Sequence, residues 1–277
     1  MSHGEAPRGG RDGGGFVRQD RADAGVSRRR GVLVTGAASG LGRAVALAFA
    51  EWGDRVAVHY NSNRTEAEAT LKSLPGNGHA LIQGDITVAA REIADTAEQV
   101  LGGVDVLVNN AAVVTTTATA HPLAETSFEH WQQMWRDSVE VNLLGAADLT
   151  YWVARHMIER GAAGHVVNVG SRGAFRGEPD HPAYGATKAA LHSMGQSLAV
   201  SLAPYGISVA SVAPGFIATE RVADWLTGER GAELRAQSPF GRVAEPREIA
   251  AAIVHLAGSQ WASGAILDLN GASYLRT

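Results

Sequence analysis

The chain has 277 residues, a formal net charge of −4, 45% hydrophobic and 19% charged residues, 33 glycines and no cysteine. That excludes a disulfide scaffold, a thiolate metal site and a cysteine nucleophile. No apolar run approaches the ~18 residues of a membrane span, and the acidic balance gives no general attraction to nucleic acid or anionic membrane.

In chain order, residues 1–30 come first, with seven Arg, four Asp/Glu and seven Gly. Their balance of +3 leaves −7 on the rest. Few apolar residues are there to offset the entropy of ordering them, so a disordered leader is expected. It has no apolar h-region, and the Arg28–Arg30 run abuts a strand-like segment. Neither a signal peptide nor a twin-arginine export signal is read there, and a reducing cytoplasm is the default location. From Gly31 short β-branched runs alternate with longer amphipathic ones. Gly31–Thr35, Arg55–Tyr60, His79–Gln83, Asp105–Val108, His165–Val169, Ile207–Ala213 and Ala265–Leu269 read as seven strands. Leu41–Trp52, Thr65–Leu74, Val88–Leu101, the long Phe128–Arg160 region, Ala183–Ala203 and Pro246–Leu256 read as helices. The strand runs are apolar on both faces, as strands covered on both sides are. The alternation means repeated βαβ units and an α/β fold. One Rossmann-type doubly wound domain is expected over 31–277, a seven-stranded parallel sheet with helices on both faces.

The first strand runs into Thr35-Gly36-Ala37-Ala38-Ser39-Gly40-Leu41-Gly42, where a helix opens. Glycines at a strand–helix junction permit a tight turn and let backbone N–H groups approach a pyrophosphate, and the helix adds its positive end. Asn109-Asn110-Ala111-Ala112 follows the fourth strand, and Asn142, Ser171, Tyr184 and Lys188 come later in that order. Ser171 stands thirteen residues before Tyr184-Gly-Ala-Thr-Lys188, and Pro214-Gly215 precedes Thr219. With these motifs the chain closely resembles the short-chain dehydrogenase/reductase family over 31–272. Val212–Thr219 and Gly241–Ile249 look most like 3-oxoacyl-carrier-protein reductases and their relatives.

Tyr184 and Lys188 are four apart on a predicted helix and so share a face. A free phenol has a pKa near ~10, and a neighbouring ammonium favours the phenolate. Tyr184 is therefore expected to exchange a proton with a carbonyl or alcohol oxygen, to which Ser171 donates a hydrogen bond. Only two of the 24 basic residues are lysines, Lys72 and Lys188. A lysine retained against that usage marks a place where a planar guanidinium does not substitute. The resemblance implies that Asn142 bends its helix and holds a water leading to Lys188, and that Lys188 grips the nicotinamide ribose. It implies further contacts from Asp85 and Ile86 to adenine, Asn110 to the adenosine side, and Pro214, Gly215, Ile217 and Thr219 around the nicotinamide.

The stretch His59-Tyr60-Asn61-Ser62-Asn63-Arg64 has no carboxylate before Glu66. An acidic residue there would bind a ribose 2′-hydroxyl and repel a 2′-phosphate. Asn61, Ser62, Asn63 and Arg64 are instead expected to donate to the phosphate, which favours NADPH over NADH. The ten histidines show no metal-binding spacing, so no metal is expected.

Residues 216–243 match the family's mobile substrate lid. Phe216 and Trp225 are expected to line an apolar pocket, with Arg172 or Arg176 meeting a polar or anionic part of the substrate. Ala186, Ala190, Ser193 and Ser197 form a stripe of small residues, and the resemblance implies a homotetramer packed on that helix. The expected function is NADPH-dependent reduction of a ketone: a 3-oxoacyl thioester, polyketide-like or related carbonyl, small or carrier-bound. The alternatives are an NAD(P)-dependent alcohol, sugar or steroid dehydrogenase of the same family, and a non-catalytic dinucleotide-sensing protein.

Overall fold

A computed structural model describes residues 29–276. The expected disordered leader lies outside these residues except at Arg29 and Arg30, which are fixed to the fold. Arg29 donates to the Gly53 carbonyl at 2.6 Å, and Arg30 pairs with Asp54 at 2.5 Å.

Seven parallel strands are β1 (Gly31–Val34), β2 (Arg55–Tyr60), β3 (Ala80–Gln83), β4 (Val106–Asn109), β5 (Gly164–Val169), β6 (Ile207–Pro214) and β7 (Ile266–Leu269). Their spatial order is β3-β2-β1-β4-β5-β6-β7. Side chains alternate across a strand, and both faces are apolar here. Val32, Val34, Val56, Val58, Val106 and Val108 form one core with helices α1 (Gly40–Glu51), α2 (Arg64–Ser73) and α9 (Pro246–Leu256). Leu33, Ala57, Leu107 and Val166 form the other with α3 (Ala90–Leu101), α5 (Ala146–Glu159) and α7 (Pro182–Leu202). Each fully buried Val or Leu side chain contributes ~1.5–3 kcal/mol over its exposed state, so the two-sided strand pattern is what commits the chain to a three-layer fold.

Helix boundaries follow local chemistry. Ser127 caps α4 (Phe128–Val139) by accepting from the His130 N–H, and Glu245 and Glu248 form a reciprocal capping box on α9 with Pro246 in its first turn. The expected long helix is continuous but not uniform: α4 passes into α5 through a π-helical segment, Glu140–Gly145. Its wider winding places Asn142 inside the protein. The sequence pattern did not anticipate the short α6 (Gly173–Arg176), the 3-10 segment Glu220–Leu226 or α8 (Gly228–Ala236). A parallel bridge between Ile217 and Ala244 joins the two ends of the segment that contains the last two. No helix among the described residues is long and apolar enough to cross a membrane.

Candidate active site

In this strand order the chain leaves β1 and β4 toward opposite sides, which opens a crevice at their carboxyl ends. Thr35 and Asn110 close its floor. Thr35 Oγ1 accepts from the backbone N–H groups of Asn110 and Ala111 at 2.9 Å, and Asn110 Nδ2 donates to the Thr35 carbonyl at 2.8 Å. Above them the turn passes through Gly36 at φ 62° and Gly40 at φ 56°, where a side chain would be strained. At Gly42 a Cβ would lie 2.3 Å from the Gly36 carbonyl oxygen. The first turn of α1 has no acidic residue, so the positive helix end is left for an anion.

The glycine turn (Gly36, Ser39–Gly42), the end of β2 (Asn61–Asn63), Asp85 and Ile86, Asn110, Thr219 and Tyr184 line one cleft of about 490 Å³. A phosphate cradle at one end and a phenol at the other suit a dinucleotide.

Behind Tyr184 stand the remaining expected catalytic residues. Ser171 follows the end of β5; its Oγ accepts from the Gly173 N–H at 3.0 Å, and its hydroxyl favours the ionised form of the Tyr184 phenol. Lys188 is only 2% exposed; its Nζ donates to the Val169 carbonyl at 2.8 Å and lies 5.6 Å from the centre of the Tyr184 ring. Asn142, in the π segment, accepts from the Val113 N–H at 2.8 Å and donates to Thr187 Oγ1 at 3.0 Å. It thereby joins the loop after β4 to the helix that carries Tyr184 and Lys188. Burial pushes the phenol up to about 12, against the pull of the Ser171 hydroxyl, and pushes the ammonium down to about 8. The expectation of an acidified phenol is corrected, because desolvation exceeds that one lowering influence.

Other expected contacts lie elsewhere. Arg64 is exposed and paired with Glu68 at 2.7 Å, one helical turn on, and does not line the cleft. Asn63 uses Oδ1 to accept from the Glu66 N–H as the cap of α2. Pro214 ends β6, Ile217 bridges to Ala244, and Gly215 and Phe216 line a second cavity of about 950 Å³. Arg172 faces that same cavity, donating to Ser273 and, at 2.5 Å, to Gln237 Oε1. Arg176 is exposed near Gln237, and Trp225 packs between Phe216 and Arg230. None of the four expected substrate residues lines the cleft that holds Tyr184. Among the described residues no group of three or more His, Asp or Glu side chains is placed to hold a metal ion.

This fold and site define a class, the oxidoreductases that bind a nicotinamide dinucleotide at the switch point of a parallel sheet, and known proteins give the family. A family profile described as short chain dehydrogenase matches residues 30–230. An L-rhamnose 1-dehydrogenase (NAD(P)(+)) of Sphingomonas sp. (strain SKA58) is 34% identical over 255 residues, 88% of this chain and 96% of that protein. A 3-oxoacyl-[acyl-carrier-protein] reductase of Staphylococcus aureus is 32% identical over 252 residues, 89% of this chain and 98% of that protein. The solved structure of a putative gluconate dehydrogenase from Agrobacterium tumefaciens superposes with a TM-score of 0.77 at 27% identity, covering 88% of this chain and 95% of that one. The chain belongs to the short-chain dehydrogenase family. It is an NAD(P)-dependent oxidoreductase, which sets aside the non-catalytic sensor.

Two buried histidines escaped the sequence reading. His59 accepts from the Gly36 N–H through Nδ1 at 3.2 Å and meets the Gly84 carbonyl through Nε2 at 3.0 Å, the pattern of a neutral ring. It binds the glycine turn to the end of β3; the only signal was a polar residue inside an apolar strand. His192, one turn beyond Lys188, stacks on Phe175 at 5.3 Å. Burial pushes both from an ordinary value of 6.5 down to about 4. Between those values the unfolded chain takes up protons that the folded chain refuses, so stability is full above pH 6.5 and falls as the pH drops toward 4. The slope is up to ~1.4 kcal/mol per pH unit for each ring. Urea unfolding of the wild type and of His59→Gln across pH 4–7 checks this. The variant should show the shallower loss, and equal slopes would mean that the His59 ring is charged in the fold.

Proposed function

We propose that the chain reduces a ketone to the corresponding alcohol with NADPH, Tyr184 giving the proton. The observation that carries this is the meeting of a phosphate-cradling turn and a phenol in one cleft. When bound, the dinucleotide supplies a hydride to the carbonyl carbon. Ser171 and Tyr184 hold the carbonyl oxygen, and as charge develops there the Tyr184 proton passes to it. The phenolate left behind is stabilised by the Lys188 ammonium. Asn142 fixes the helix segment at Thr187 and so keeps the phenol and the ammonium in register. The phenol's raised pKa keeps it protonated at neutral pH, as a proton donor must be.

Likeness to the 3-oxoacyl-[acyl-carrier-protein] reductase supports a 3-oxoacyl thioester, polyketide-like or related ketone as substrate, free or carrier-bound. Likeness to the L-rhamnose 1-dehydrogenase and the putative gluconate dehydrogenase supports a second reading, oxidation of a sugar or other alcohol at the same centre. The NADPH preference rests on Asn61, Ser62 and the amide nitrogen of Asn63 at the end of β2, with Arg64 removed from the argument by its pair with Glu68. We further propose a homotetramer packed on α7, where Ala186, Ser193 and Ser197 lie on the exposed face beside Val200, 78% exposed.

Four outcomes are expected. Tyr184→Phe should lower kcat by about 10²–10⁴ while dinucleotide binding, read by fluorescence titration, persists; Lys188→Arg should also fail, because a guanidinium does not fit where a buried ammonium donates to Val169. Normal turnover by Tyr184→Phe would remove the assigned acid. Steady-state kcat/KM should favour NADPH over NADH, and the reverse order defeats the reading of residues 61–63. Sedimentation should give four times the subunit mass, and a single-subunit mass defeats the tetramer.

A further inference from the structure

The second cavity shares no lining residue with the cleft that holds Tyr184, and no step of the proposed reaction uses it. It lies between the segment that follows β6, α9 and residues 268–276. At about 950 Å³ it stands at the upper end of the ~300–1,000 Å³ usual for small-molecule sites. Phe216, Leu234, Val243, Ile249 and Leu269 give it an apolar wall. Three arginines and two carboxylates stand on its lining, and four of these five neutralise one another in pairs. Arg242 grips Glu248 with two bonds of 2.7 Å, and Arg276 meets Asp268 at 2.7 Å. The fifth is Arg172, only 7% exposed. Its guanidinium donates to two neutral acceptors, Ser273 Oγ and Gln237 Oε1, and among the described residues no carboxylate forms an ion pair with it.

An arginine is not deprotonated inside proteins, so this charge does not vanish on burial. Burial and the neighbouring Arg176 disfavour it more than the Glu178 field favours it. A buried charge without a counter-ion is costly, and a ligand that supplies the counter-ion recovers the cost. The surroundings select its kind. A guanidinium offers five N–H donors in a planar fork, of which two are taken here. A carboxylate fits such a fork with two parallel bonds. The surplus on the lining is one positive charge, which a monoanion balances; a dianion would face Glu248 and Asp268 with charge left over. The apolar wall suits an alkyl or aryl body. We propose that the second cavity is a binding site for a monocarboxylate with an apolar body, anchored on Arg172. Tyr184 does not line it, so the occupant is neither the reacting group nor the dinucleotide. The bound carboxylate ties Gln237, on the segment after β6, and Ser273, near the C-terminus, to the residue next to Ser171.

Octanoate is the probe, titrated into the full chain by calorimetry, with octan-1-ol, acetate and inorganic phosphate beside it. It should bind about tenfold or more tighter than each of the three, since the alcohol lacks the charge and the other two lack the apolar body. In Arg172→Gln its affinity should fall by about tenfold or more, as losing one member of a buried charge pair predicts. Arg172→Lys, which keeps the charge without the fork, should retain part of it. Leu234→Trp leaves the guanidinium in place and fills the apolar side, and should weaken octanoate as well. Thermal unfolding of each variant without ligand separates loss of fold from loss of binding. Saturating NADP+ should leave the octanoate affinity unchanged. Octanoate that fails to bind the wild type, that binds folded Arg172→Gln or folded Leu234→Trp as tightly, or that NADP+ displaces overturns the inference. So does an equal affinity for the alcohol, acetate or phosphate.

Discussion

Where β1 and β4 lie side by side, the chain departs in opposite directions, and the backbone groups freed there must be satisfied inside the protein. Thr35 and Asn110 meet that demand between them: one hydroxyl accepts two N–H groups, and one amide returns a bond to the end of β1. A further tie comes from His59, whose ring bridges the turn and the end of β3. The glycine turn is therefore a rigid object held from two sides. Its shape is set before any ligand arrives, so little ordering entropy remains to be lost on binding.

The second constraint is dielectric. Tyr184 and Lys188 belong to one helix face, and in water the ammonium would ease ionisation of the phenol. Burial changes the balance, because both charged forms lose solvent at once. The ammonium keeps its place by donating to Val169, a neutral acceptor that does not cancel its charge. The pair therefore rests as a protonated phenol beside a weakened ammonium, and the positive field reaches the phenol when a phenolate forms.

Much of this was legible in the chain. Strands buried on both faces must be apolar at every position, and such runs bounded by glycine have few other readings. The glycine turn and the Tyr184–Lys188 spacing were visible for the same reason: each demands particular residue types at fixed intervals. Direction was not legible. Ser171 and Arg172 are adjacent where the chain turns out of β5 into α6, Arg172 already at helical φ −59° and ψ −25°; one side chain acts on Tyr184 and the other faces the second cavity. Arg64 sits in the first turn of α2, where Glu68 one turn on is a nearer partner than a ligand phosphate. The π segment that buries Asn142 leaves no periodic signature, since one extra residue per turn over six residues does not disturb an apolar stripe.

The charges around the phenol are therefore arranged on an axis. Lys188 is behind it and positive, and Glu178 is on the loop before it and negative. A proton leaving the phenol creates a negative charge that the first favours and the second opposes. Both influences act through low dielectric, where opposed fields largely cancel and burial decides the resting state. Anything that weakens the Glu178 field leaves the ammonium unopposed.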